Sequence, residues 1–229
     1  EPITYEAPYL DNLPTAPREK FAANIAAIQK LKEIEQRVAN GGSPAFEDEQ
    51  KILAQYTGWG GLSDAFDPNK STWSNEYSQL KAALSESEYE AARSSTLTAF
   101  YTPATVIHPI YRALERFGVK GGKILEPSMG TGAFLAHGHF GSSDAKFYGV
   151  ELDSITGRIS KQLYQKANIQ VTGYENALLP DNYFDCVIGN VPFGNFQVND
   201  PQYNRLHFPI HDYFFAKSID KLRTGGIMA

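Results

Sequence analysis

The stretch Ile124-Leu125-Glu126-Pro127-Ser128-Met129-Gly130-Thr131-Gly132-Ala133-Phe134-Leu135 constrains this chain more than any other. It reads as the end of a short apolar strand, an acid, a glycine turn and the start of a helix. Gly130 and Gly132 leave out Cβ atoms where a ligand must approach the backbone closely. A phosphate-binding loop at this place offers bare N–H groups and a helix dipole. Glu126 sets a carboxylate there instead, which argues against a pyrophosphate and for a cationic or hydroxyl-rich ligand. The blander reading is an ordinary βα turn with a C-cap glycine. The acid and the paired glycines together weigh against it.

Three more apolar runs repeat the pattern. Phe147-Tyr148-Gly149-Val150 ends in Glu151-Leu152-Asp153 and leads into a helical stretch from Ser154 to Lys166. An acid about 20 residues beyond the glycine loop is where nucleotide-binding α/β folds hold a ribose diol. Either Glu151 or Asp153 can instead cap the following helix, and Asp153 fits that role better. Ile169-Gln170-Val171 is followed by Tyr174-Glu175-Asn176, again polar at the carboxyl edge. Phe184 to Gly189 is a buried strand closed by Asn190-Val191-Pro192-Phe193. There the Asn190 side-chain oxygen and the Val191 carbonyl can accept hydrogen bonds from an exocyclic amine, and Phe193 offers a face for a base. Read alone, those four residues are a polar turn. Four strands ending in polar groups on one rim make them part of a ligand site.

Together these segments resemble the S-adenosylmethionine-dependent amino-methyltransferases, in particular the DNA N6-adenine methyltransferases of the gamma arrangement. Phe100-Tyr101-Thr102-Pro103 resembles the motif that precedes the glycine loop, Leu125 to Leu135 the methionine-binding loop, and Gly149 to Asp153 the ribose motif. Asn190 to Phe193 resembles the catalytic (Asn/Asp)-Pro-Pro-(Tyr/Phe) motif, and its place after the glycine loop is the gamma order. Tyr56-Thr57-Gly58-Trp59-Gly60-Gly61-Leu62 and the stretch from Ser87 to Pro103 look like the methylase domains of large helicase–methylase proteins of phages, plasmids and conjugative elements. The resemblance spans roughly residues 50 to 229. It implies a Rossmann-like α/β sheet, with residues 1–95 forming an N-terminal strap and helical accessory segment and 96–229 the catalytic domain.

The resemblance implies S-adenosylmethionine as cofactor and DNA as partner. Its cofactor residues fall here on Tyr101, Thr102, Pro103, Glu126, Pro127, Gly130, Gly132, Glu151, Leu152, Glu175 and Asn176. Thr102 and Glu126 would hold the methionine part and Glu151 the ribose. Glu175 would take the amino group of the cofactor's adenine, with Asn176 the competing choice. The catalytic set is Asn190, Val191, Pro192 and Phe193. Val191 replaces the family's usual Pro, but the contact expected there is a backbone carbonyl, which Val also supplies. A glutamine methyltransferase of release factors, an RNA adenine methyltransferase and a cofactor-binding module without chemistry are the alternatives. The Phe100 to Pro103 motif and the helicase-associated stretch favour DNA.

Other features bound the reading without adding to it. Phe21, Ile25, Ile28, Leu31, Ile34 and Val38 recur at helical spacing, stopped by Asn40-Gly41-Gly42, and residues 1 to 18 read as a proline-rich strap. Glu47 to Tyr56 and Leu84 to Ser94 read as further helices, the latter with Ser85 as N-cap. Trp59 between glycines is either a substrate-facing loop or a ring packed on the catalytic domain, and packing is favoured. The lone cysteine, Cys186, lies in an apolar run and reads as a core thiol. His137/His139 and His207/His211 lack a third ligand, and Pro209 spoils the second pair's spacing, so no metal is expected. A net charge of −5 is unhelpful for DNA, so any grip on phosphates must be local or supplied elsewhere in the polypeptide. No long apolar run or signal-like start appears, so a cytoplasmic protein away from membranes is expected. Leu222 to Gly226 reads as helix end and turn, with a fifth strand starting at Ile227. The chain starts at Glu1 rather than Met and stops where that strand begins. It therefore reads as a piece of a larger protein, with the target-recognition region and a helicase beyond it.

Overall fold

The structure, a computed structural model, describes residues 12–97, 101–138 and 145–229. Most of the expected strap, Phe100 of the Tyr-Thr-Pro motif and His139 lie outside the described residues. The chain packs as two compact units, one of residues up to Tyr101 with Ser154–Gln165, the other of Thr102–Asp153 with Lys166–Ala229.

The first unit is helical. Its longest helix, α1 (Pro17–Ala39), buries Phe21, Ile25, Ile28, Leu31 and Ile34, the spacing of one helical face. It begins at Pro17, which the sequence reading placed in the strap. Proline suits a first helical position because its missing N–H would have no partner there. Val38, near the end of α1, is exposed rather than part of that face. Then come α2 (Glu47–Leu53), α3 (Ser74–Ala83) and α4 (Glu86–Ser95). Ser85 caps α4 as expected, accepting from the Glu88 amide while Glu88 accepts from the Ser85 amide. Helix α7 (Ser154–Leu163) packs against α1 and α2. Its Arg158 forks onto both Glu35 oxygens at 2.6 Å and reaches Glu88 at 2.8 Å. That pairing divides the chain differently from a cut at residue 95, because a helix between two strands in sequence sides with the helical unit.

The Gly58–Gly61 turn also belongs to this unit. The buried Asn24 accepts from the Thr57 amide and donates to the Gly58 carbonyl. Trp59 is buried edge-on to Phe66, with ring centroids 5.4 Å apart, and near Phe21. Trp59 is packed, and its ring partners among the described residues include Phe21, Tyr56 and Phe66 of the helical unit.

The second unit is built on five parallel strands in the order β3-β2-β1-β4-β5: β1 (Lys123–Glu126), β2 (Lys146–Glu151), β3 (Asn168–Val171), β4 (Phe184–Val187) and β5 (Leu222–Met228). This is the doubly wound strand order of a Rossmann-like α/β fold. The central strands β1 and β4 are largely buried and read as apolar runs rather than alternations. Ile124, Cys186 and Ile188 pack with Ile107, Tyr111 and Leu114 of α5 (Ala104–Arg116). Leu125 and Val187 pack with Ile210, Tyr213 and Phe214 of α8 (Ile210–Lys221). Strand β5 starts earlier than expected. Leu222 already pairs with Phe184, residues 223–226 bulge out through the left-handed Gly225, and pairing resumes between Ile227 and Cys186. No helix among the described residues is long and apolar enough to cross a membrane.

Candidate functional site

Parallel strands put their carboxyl ends on one edge, so the polar groups closing β1, β2, β3 and β4 share a rim. Glu126 closes β1 and is 2% exposed, yet its Oε2 has no hydrogen-bond partner among the described residues. Burial raises its carboxyl well above the usual range, and the Glu151 charge adds to the effect. A Cβ on Gly189 would come within 3.2 Å of Glu126 Cγ, so glycine there makes room for the acid.

The loop after Glu126 explains its glycines. Gly130 and Gly132 are both left-handed, at φ 55° and 82°, a conformation that costs side-chain-bearing residues. Pro127 beside the acid and Met129 further on are buried. Met129 donates its amide to the Val150 carbonyl, and its sulfur occupies the space a Cβ on Gly149 would need. A four-residue helix, α6 (Ala133–Ala136), follows.

Glu151, at the end of β2, holds this loop from the other side. Its Oε2 accepts from the Gly130 amide at 2.7 Å and its Oε1 from the Asp153 amide at 2.8 Å. Burial pushes the carboxyl up to about 7, although the amides of Asp153, Gly130 and Leu152 work the other way. Asp153, which immediately precedes α7, contributes its own amide to Glu151. Leu152 is 76% exposed, an apolar side chain presented to whatever lies over the rim.

After β3, a 3₁₀ turn Tyr174–Asn176 carries the two competing adenine-binding candidates. Asn176 donates to Glu175 Oε1 at 3.2 Å, so the alternatives form one hydrogen-bonded pair. Tyr101 closes the first unit, its hydroxyl lying where a Cβ on Gly58 would sit. Thr102 opens the second unit, half-buried, and Pro103 is the N-cap of α5.

Beyond β4, Asn190 is exposed, Val191 and Pro192 are half-buried, and Phe193 is 70% exposed. Pro127, Gly189, Asn190, Val191, Phe193 and Phe215 help line a pocket of about 190 Å³. One face of Phe193 lies over His211 of α8, with ring centroids 5.9 Å apart and planes inclined by 29°. His211 Nδ1 is buried with no hydrogen-bond partner among the described residues. Only the fold brings His211 under Phe193.

The 194–209 loop is anchored by a buried group. Asp200 Oδ2 accepts from Lys217 Nζ and from the Tyr213 hydroxyl, each at 2.8 Å. Lys217 was not among the sequence candidates. Its signal was a cation on the apolar face of α8, in step with Ile210, Tyr213 and Phe214.

The model of the N-6 DNA Methylase family matches residues 87–214, more than half of the chain. The Defense against restriction protein B of Escherichia phage P1 is 29% identical over 216 residues, which are 92% of this chain and 8% of that protein. The Modification methylase CviBIII of Paramecium bursaria Chlorella virus NC1A is 30% identical over 135 residues, 57% of this chain and 36% of that protein. Among solved structures, a TehB-like SAM-dependent methyltransferase from Corynebacterium glutamicum is 20% identical, with a TM-score of 0.33, covering 55% of this chain and 70% of that one. The chain thus spans well under half the length of the two curated relatives it matches. With its strand order, glycine loop and Asn-Val-Pro-Phe motif in place, the chain belongs to the N-6 DNA Methylase family.

Proposed function

We propose that this domain transfers the methyl group of S-adenosylmethionine to the exocyclic N6 amine of an adenine turned out of DNA. The observation that carries this reading is the exposed Asn190–Phe193 segment at the end of β4, on the rim that also holds Glu126 and Glu151. When bound, the cofactor supplies an electrophilic methyl group on a sulfonium.

The chain's residues fit that cofactor's chemistry. Glu126 is a buried acid whose Oε2 lacks a partner, the group that a cationic amino acid moiety would satisfy. Glu151 is a carboxylate fixed by backbone amides at the end of β2, which suits a ribose diol. Exposed Leu152 offers apolar surface to an adenine, and the Glu175–Asn176 pair offers an acceptor to its amino group. Tyr101, Thr102 and Pro103 complete the methionine side in this assignment.

Adenine N6 is a poor nucleophile because its lone pair is delocalised into the ring. Asn190 Oδ1 and the Val191 carbonyl can accept both of its hydrogens. That draws the nitrogen toward tetrahedral geometry and stabilises the positive charge that develops on it. Pro192 stiffens the turn, and Phe193 gives the base a stacking face worth about 1–3 kcal/mol. The pocket walls then fix the approach, which supplies much of the acceleration. A duplex hides N6, so the base must be extruded, at a cost of a few kcal/mol.

Asn190→Ala in the full polypeptide is expected to lower methyl transfer by about 10²–10³. Affinity for S-adenosylhomocysteine should stay within a few-fold, since Asn190 touches the target and not the cofactor. Incorporation of tritiated methyl groups into DNA and RNA measures the first, and calorimetry the second. Near wild-type transfer by Asn190→Ala, or a preference for RNA, would overturn the reading. We also infer a longer polypeptide that carries base recognition and a helicase, since this acidic chain brings little phosphate attraction of its own.

A further inference from the structure

Two loops matter to the proposed reaction, the 3₁₀ turn carrying Glu175 and the 194–209 loop after the Asn-Val-Pro-Phe motif. One buried ammonium reaches both. Lys217 is 5% exposed and Asp200 6%. Lys217 Nζ lies 2.8 Å from Asp200 Oδ2 and donates to the Glu175 carbonyl at 3.4 Å. It also lies 5.2 Å from the ring centre of Tyr174 and 5.8 Å from that of Tyr213, within reach of cation–π attraction.

Asp200 organises its loop in turn. Its Oδ1 accepts from the Gln202 amide, its carbonyl accepts from the amides of Tyr203 and Asn204, and its amide donates to Asn204 Oδ1. Tyr213 supplies a second donor to Oδ2. Although burial works the other way, Lys217, Tyr213 and the Gln202 amide hold the Asp200 carboxyl below the usual carboxylate range. A shift of the 194–209 loop would part Asp200 from Lys217 inside the fold, and a shift of the 3₁₀ turn would break the Lys217 bond to the Glu175 carbonyl.

We propose that Lys217 is a positioning residue that couples the cofactor-adenine turn to the loop over the target base, so that filling one site tightens the other. The inference rests on the functional reading above. It adds that Glu175 and the base-side loop share one anchor, fixed from α8. Because binding coupling is reciprocal, each ligand must strengthen the other by the same factor.

The test measures that factor on the full polypeptide. Affinity for S-adenosylhomocysteine is determined with and without DNA carrying one unpaired adenine, and affinity for that DNA with and without S-adenosylhomocysteine. The wild type is expected to show mutual tightening of roughly 5- to 150-fold, the usual range for such coupling. Lys217→Met keeps the aliphatic stem and should bring the factor close to one, while Lys217→Arg should restore most of it. Tyr213→Phe removes a single bond to Asp200 and should lower the factor partway, which provides a readout if Lys217→Met does not fold. No mutual tightening in the wild type overturns the proposal. So does an unchanged factor in a folded Lys217→Met or Tyr213→Phe protein, even if both affinities fall. Absence of methyl transfer from the wild type would instead sink the functional reading, so the two failures are distinguishable.

Discussion

Two acids of the helical unit and two on the rim of the sheet unit are handled in opposite ways. In the helical unit, Glu49 is gripped by Arg37 through both oxygens and by the Phe46 amide, and its carboxyl is held down at about 2. Glu88 is partly buried, which works against ionisation. The Ser85 amide, Arg158 and Lys32 still bring it to about 2. In the sheet unit, Glu126 Oε2 has no hydrogen-bond partner among the described residues and Glu151 is held by backbone amides, and both carboxyls are pushed up instead. Glu49 and Glu88 are matched by arginine and lysine within their own unit. In the proposed reading, the cofactor supplies the match for the two rim acids.

The sharpest way to break this contrast is Glu126→Gln. If the acid awaits a cationic ligand, affinity for S-adenosylhomocysteine should fall by roughly 10- to 100-fold, the worth of a hydrogen bond to a charged group. The melting temperature should hold or rise, because the substitution removes a buried carboxyl without a partner. Calorimetry and thermal melts read both. Unchanged affinity, or a large loss of stability, would make Glu126 a structural residue.

Arg158→Met probes the other side. It removes the cation that Glu35 and Glu88 share, leaving Glu88 only Lys32 and the Ser85 amide, and should destabilise the fold by about 1–3 kcal/mol, between the values for exposed and buried pairs. Affinity for S-adenosylhomocysteine should be nearly unaffected. A denaturant midpoint equal to that of the wild type would show that the cluster contributes nothing measurable.

The gentlest test is pH. Glu49 and Glu88 have depressed values, so their stabilisation is complete above about 4.5 and is lost as pH falls toward about 2. Glu151 runs the other way. Its raised value means that the folded form binds the extra proton, so its share of stability declines as pH rises from about 4.5 through about 7. The diol-binding form is the carboxylate. Cofactor affinity should therefore rise with pH up to about 7, by at most about tenfold per unit, and level off above. Titrations between pH 5.5 and 8 in buffers of differing ionisation heat should also show proton release on binding. A flat affinity profile would remove Glu151 from the diol site.

What could be read from the chain alone was what neighbours in sequence decide. Ser85 and Glu88 lie three apart and cap α4 whatever surrounds them. Gly130 and Gly132 announce a left-handed loop, and an apolar run followed by a polar residue announces a strand end. The N-terminal face of α1 and the place of Asn190 followed from the same local logic.

Tertiary structure decided which distant groups would meet. Arg158 finds partners 123 and 70 residues away, so α7 joins the helical unit although β2 and β3 flank it in sequence. Lys217 meets Asp200 and the Glu175 carbonyl only because α8 folds back on its own loop and on the turn after β3. His211 comes to lie under Phe193 by the same folding. Glu126 was visible as an acid in a loop, but that its Oε2 finds no hydrogen-bond partner among the described residues depends on every chain segment that surrounds it. Local patterns fix backbone conformation because their hydrogen bonds close over a few residues. Burial and charge pairing are sums over the whole fold, and they set the chemistry of this rim.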